Sequence, residues 1–135
     1  MSDKNVELAV RWLEKAEHDL ITGRQTLLLA DGPTDTVCFH AQQAAEKALK
    51  ALLTLHRVEF PRTHELLRLL DLAIAYLPAL EDFREELAHI SDYSVDVRYP
   101  DDWFEPSRQE ATQSLAVGER LVTIVSEKMG RADNS

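Results

Sequence analysis

His40, Gln43 and Lys47 stand at i, i+3 and i+7 in the helix-forming run from Cys38 to Leu53, so they share one helical face. Further on, Arg98, Tyr99 and Asp101 sit together in a stretch without helical period that also holds Pro100 and Pro106. These residue types suit phosphate and base chemistry. An imidazole exchanges a proton near neutral pH, a guanidinium grips two phosphate oxygens at once, and lysine and glutamine hold a phosphate or a base edge. Metal-independent cleavage of RNA needs one group to take the 2′-hydroxyl proton and another to stabilise the phosphorane charge. Arg98 suits the second role. The first falls to His40, to His64 brought across the fold, or to a carboxylate such as Asp101. Each assignment has a structural alternative. Arg98 can be a clamp on Asp96, Asp101 or Asp102, and His40 can be a hydrogen-bonded interior histidine beside a solvated strip of Glu46 and Lys47.

Other groups carry weaker signals. Tyr93, Tyr99, Trp103 and Phe104 place four of the nine aromatic residues within twelve positions, so they either stack bases or fold back as a lid over the core. Glu86 and His89 have the Glu-x-x-His spacing of di-iron bundles, but such a centre needs two copies and two further glutamates. No metal site is expected. No glycine-rich phosphate loop is present, and no cofactor is expected. Cys38, the single cysteine, reads as a small core residue. His18, His56 and His89 read as surface or boundary residues.

Helices must position these groups. Val6, Val10, Leu13, Leu20 and Leu27 mark one face of a first helix, which Asp31-Gly32-Pro33 ends, the glycine suiting a left-handed cap. Thr34 or Asp35 is placed to cap a second helix with a stripe of Val37, Ala41, Ala44, Ala48, Leu52 and Leu55. Its many alanines (41, 44, 45, 48 and 51) let neighbouring helices approach closely. Thr63 is placed to cap a third helix bearing Leu66, Leu67, Leu70 and Ile74, and Pro78 interrupts it. Leu80, Phe83, Leu87 and Ile90 resume the pattern in a new phase. Ser107 and Glu110 form a capping box before a last helix carrying Ala111, Leu115, Gly118, Val122, Val125 and Met129. The expected fold is all-α, an antiparallel up-and-down bundle of four long helices plus one short one. It forms a single domain over 1–135, with a core from about 5 to 129 and a frayed tail at 130–135.

Composition narrows the function classes. With 24 acidic against 15 basic residues the net charge is −9, which disfavours extended, sequence-independent gripping of nucleic acid while leaving room for a small local site. No apolar run approaches the ~20 residues that span a bilayer, no signal segment opens the chain, and one cysteine fits a reducing compartment. A cytoplasmic protein without membrane association is expected. Leu66 to Leu72 is apolar on more than one face, which suggests surface buried between subunits of a homodimer.

Three separated motifs resemble one known family. The Phe39 to Ala51 run, Phe-His-Ala-Gln-Gln-Ala-Ala-Glu-Lys-Ala-Leu-Lys-Ala, is similar to the second-helix signature of HEPN domains. His64-Glu65-Leu66 and Arg98-Tyr99-Pro100-Asp101 look like that family too, in the expected order, and the likeness spans roughly residues 5 to 128. The resemblance implies a dimerising helical bundle, often paired with a small nucleotidyltransferase in a toxin–antitoxin-like system. Many family members are metal-independent RNases that use an arginine followed, after four to six residues, by a histidine. Here Arg98 matches the arginine, but the histidine window holds Trp103, Phe104 and Glu105, and no histidine follows Arg98. The tyrosine that a partner transferase modifies in some pairs corresponds to Phe104. The resemblance, with the polar groups set beside the alanine seam, points to a nucleotide- or RNA-binding module acting with a nucleotidyltransferase, with His40, Gln43, Lys47, Arg98, Tyr99 and Asp101 as its site. The alternatives are an endoribonuclease toxin using Arg98 with a non-standard histidine, and a non-catalytic helical adaptor.

Overall fold

The computed structural model describes residues 3–91 and 105–130. The helices are α1 (Lys4–Leu28), α2 (Thr34–Leu55), α3 (Leu66–Ala73), α4 (Arg84–Ile90) and α5 (Arg108–Lys128), with a 3₁₀ turn at Pro78–Phe83 leading into α4. Among the described residues there is no strand, and the all-α class is as expected. Asn5 of α1 donates to the Thr54 carbonyl near the end of α2, so α1 and α2 run antiparallel. Arg108 at the start of α5 donates to the carbonyls of Leu27 and Leu29, so α5 begins where α1 ends. Four legs result, alternating in direction, with α3, the 3₁₀ turn and α4 together making the third.

That third leg is broken where the sequence suggests, and α3 is shorter than its apolar period implies. The residue before a proline is driven out of the helical region by the ring's δ-carbon, and Leu77 lies outside it at φ −151° and ψ 82°. Only α1, α2 and α5 are long.

α2 is the hub and packs against each of the other four α-helices. Its Ala41, Ala44, Ala45, Ala48 and Ala51 are all fully buried, as expected of a seam that admits neighbours at close range. Gly118 of α5 completes it, since a β-carbon there would lie 3.3 Å from the Ala41 carbonyl oxygen and 3.2 Å from Leu20 Cδ2. Val37, Leu49, Leu52 and Leu53 fill the remaining space against Leu13, Leu66, Leu69, Leu70, Leu87 and Leu121.

The caps at the α1–α2 turn and at α5 hold one confirmation and two corrections. Ser107 Oγ accepts from the Glu110 amide at 3.0 Å while Glu110 Oε1 accepts from the Ser107 amide at 3.1 Å, so the capping box forms as read. Neither Thr34 nor Asp35 caps α2. Thr34 is buried as the first helical residue and donates its hydroxyl to the Pro106 carbonyl at 2.6 Å, tying α2 to the start of α5. Gly32 does not take a left-handed cap. Its backbone presses against the Thr26 carbonyl oxygen, where a β-carbon would sit only 2.1 Å away, so a side chain is excluded by contact rather than by φ. The left-handed glycine is Gly130, at φ 76° after α5.

His56 ends α2 with its ring stacked on Tyr76, centroids 4.4 Å apart at 21°, and its Nε2 is buried with no hydrogen-bond partner among the described residues. A buried unpaired nitrogen costs on the order of 1–3 kcal/mol. His56→Phe keeps the stack and removes the orphan, so it is expected to raise stability by about 1 kcal/mol, read as a higher urea midpoint at unchanged slope.

Candidate functional site

On α2, at about 100° per residue, Gln42, Glu46, Phe39, Lys50, Gln43, Lys47 and His40 fall on one arc opposite the alanines. The arc splits into two hydrogen-bonded groups, each closed by a residue from outside α2.

The first group is anchored by Asp19 of α1, which is only 8% exposed. Its Oδ1 lies 2.8 Å from His40 Nδ1 and its Oδ2 accepts from Lys47 Nζ at 2.5 Å. A buried carboxylate needs such partners, because losing water without replacement costs several kcal/mol. In neutral His40 the contact places the proton on Nδ1 and makes Nε2 the basic nitrogen. Among the described residues Nε2 has no partner, and the side chain is partly open to solvent. This is the geometry of an oriented acid–base imidazole, with a lysine ammonium beside it.

The second group centres on Glu46, which is 3% exposed. It accepts from Lys50 Nζ at 2.8 Å and meets His64 Nδ1 at 3.0 Å. The Lys50 ammonium also lies 5.4 Å from the Trp12 ring centroid and 5.8 Å from that of Phe60, so its charge is held by a carboxylate and two aromatic rings. Gln42, fully buried, donates to Glu46 Oε1 at 3.4 Å and to the His64 carbonyl at 3.3 Å. Gln43 then donates to Gln42 Oε1 at 2.8 Å and so extends this group along the helix.

Of the residues expected at a site, the structure brings His40, Gln43 and Lys47 together on one half-buried strip. Arg98, Tyr99 and Asp101 lie outside the described residues, as do Tyr93, Trp103 and Phe104. The alternative of a solvated Glu46–Lys47 strip is corrected: Glu46 is buried and pairs with Lys50, while Lys47 pairs with Asp19. His64 is tied to Glu46 at the entry to α3, and Thr63 accepts from the Glu65 amide at 3.0 Å instead of capping the helix itself. The residue that sequence reading missed is Asp19. Its signal was present: a carboxylate one residue before Leu20, inside the buried stripe Ala9, Leu13, Ala16, Leu20 and Gly23, must find a partner.

A cleft of about 450 Å³ between α4 and α5 is lined by Glu85, Glu86, His89, Glu110 and Arg120 over a floor of Ile90 and Val117. Arg120 donates two hydrogen bonds to Glu86, both 3.0 Å, and this holds the Glu86 carboxyl below the usual carboxylate range and pushes the guanidinium up. Glu86 and His89 therefore point to different partners, His89 lying 4.0 Å from Glu110. Among the described residues no group of three or more His, Cys, Asp or Glu side chains could hold a metal ion. None of the described helices is long and apolar enough to cross a membrane.

Comparison with known proteins gives the same fold and a family. A protein of Methanocaldococcus jannaschii named "Putative toxin MJ1304" is 25% identical over 138 aligned positions, covering 91% of this chain and 89% of that protein. The crystal structure of TT1696 from Thermus thermophilus matches with a TM-score of 0.69 at 35% identity, over 89% of this chain and 97% of that one. The crystal structure of ST0689, an archaeal HEPN homologue, matches with a TM-score of 0.70 at 26% identity, over 90% and 97%. The sequence profile of the HEPN domain matches residues 9–128, nearly the whole bundle, and the chain belongs to the HEPN domain family.

Proposed function

We propose that this chain is a toxin-like HEPN module that binds a nucleotide or RNA on the His40–Gln43–Lys47 strip and acts, as a homodimer, with a small nucleotidyltransferase partner. The observation that carries the reading is His40 held by Asp19, with Lys47 on the same carboxylate and Nε2 directed away from it. The relative named "Putative toxin MJ1304" supports the toxin-like role. Exposed Leu28 and Leu29 at the end of α1 are apolar surface of the kind a second copy covers. The net charge of −9 fits a ligand held by a few local contacts better than a long backbone grip.

Fluorescence anisotropy with a labelled single-stranded RNA decamer tests the binding strip. With His40 protonated, so that Nε2–H donates to a phosphate, the native chain is expected to bind and His40→Ala to weaken binding roughly tenfold, the scale of one charge-assisted hydrogen bond. No binding by the native chain, or none of that loss in the variant, removes the reading. Co-purification of a transferase from the native host, with light scattering for subunit number, tests the partners.

The second reading, an endoribonuclease in which His40 replaces the missing histidine, is favoured by the same Asp19 contact, because an oriented imidazole is a ready general base. Asp19→Asn separates the two. It removes a negative charge beside Lys47, so RNA affinity holds or rises, while cleavage in EDTA falls if His40 is the base. RNA left intact by the native chain over hours leaves binding alone.

A further inference from the structure

Phe39 is the most exposed aromatic side chain of the described residues, at 36%, and it lies on the polar arc of α2 rather than over the core. Its ring meets the His40 ring in a T-shaped contact, centroids 5.5 Å apart at 77°, so an imidazole already oriented by Asp19 braces it. Gln43 stands one turn further along at i+4, and Lys47 one turn beyond that, so an aromatic face, an amide and a cation follow one another up a single strip.

The orientation of the Gln43 amide follows from its neighbours. Glu46 Oε1 and the His64 carbonyl only accept hydrogen bonds, and both are met by Gln42 Nε2. The Gln42 amide oxygen is therefore turned toward Gln43 and accepts from its Nε2 at 2.8 Å. This points the nitrogen end of Gln43 inward along the helix. Its Oε1 and second N–H remain without a partner among the described residues. An adjacent acceptor and donor can meet the edge of a nucleobase, and every base has such an edge once it is unpaired.

From this arrangement we infer that Phe39 and Gln43 form a base-recognition subsite: one unpaired base stacks on Phe39 and its edge bonds the Gln43 amide, while the attached phosphate accepts from Lys47 and from the Nε2–H of protonated His40. The inference rests on the proposed RNA-binding role and adds residues that read the base to those that meet the phosphate. Stacking on an aromatic ring accepts any base, so the subsite distinguishes a base from its absence rather than one base from another.

The test compares a labelled oligoadenylate decamer with a ribose-phosphate decamer of equal length and charge that lacks bases. The native chain is expected to bind the oligoadenylate roughly tenfold more tightly, the scale of one stacked base. Phe39→Ala should remove that gap while leaving the baseless decamer bound as before, Phe39→Trp should keep it, and Gln43→Leu should narrow it. Circular dichroism melts of the three variants confirm that each is folded. Equal binding of the two decamers by the native chain, or a gap that survives Phe39→Ala, overturns the subsite and leaves the proposed function standing. Failure of both decamers to bind removes the proposed function and the subsite with it.

Discussion

Glu46→Ala is expected to destabilise the protein by about 3–5 kcal/mol, the cost of stranding a buried charge when its partner is removed. Glu46 is 3% exposed and Lys50 9%, so the ammonium left behind has no easy route to water. It would keep only the faces of Trp12 and Phe60, and cation–π attraction of about 0.5–2 kcal/mol does not offset the lost carboxylate. His64 and Gln42 lose an acceptor in the same step. Urea unfolding followed by far-ultraviolet circular dichroism measures the loss. The double variant Glu46→Leu with Lys50→Met should recover most of it, because an apolar pair of similar volume removes both desolvated charges together. A loss below about 1 kcal/mol in Glu46→Ala would show that Lys50 reaches solvent and that the pair is a surface interaction.

Ala41→Leu is expected to cost about 3 kcal/mol, at the upper end of what overpacking a close-packed core incurs. Ala41 is fully buried where α2 crosses α5, and its backbone lies within 3.3–3.7 Å of the position a Gly118 β-carbon would occupy. A leucine side chain has no void to enter there. The helices must separate, which also loosens Leu20 and Leu115 against the same seam. The urea midpoint reports it. A control, Ala79→Leu in the partly exposed 3₁₀ turn, should change stability by no more than about 0.5 kcal/mol. If Ala41→Leu is equally neutral, the crossing is looser than the backbone spacing implies.

These two variants mark where sequence reasoning is strong and where it stops. The alanine seam was legible because small residues at helical spacing have one physical use, close approach of helices, and the structure buries all five. The break at Pro78 was legible because proline restricts its predecessor whatever the surroundings, and Leu77 lies outside the helical region as this requires. The capping box at Ser107 and Glu110 was legible for the same reason: both partners lie within one turn. The misreadings occurred where a local rule met a distant neighbour. Thr34 has the chemistry of a cap, but the Pro106 carbonyl, 72 positions away, takes its hydroxyl. Gly32 has the type of a left-handed cap, but contact with the Thr26 carbonyl is what demands glycine.

The site divides in the same way. That His40, Gln43 and Lys47 share a face follows from a rise and turn per residue common to all α-helices, and the sequence alone sufficed for it. That Asp19 rather than Glu46 balances Lys47 depends on the register of α1 against α2, where Leu13, Ala16 and Leu20 share one core with the alanines. By itself, then, the sequence determined the helical class, the family and the face on which the polar groups lie, because these follow from short-range periodicity and motif spacing. Only the tertiary structure decided which carboxylate orients His40, which cation is buried and which way the Gln43 amide turns, because each depends on a contact between elements far apart in the chain and on the low dielectric that packing creates around it.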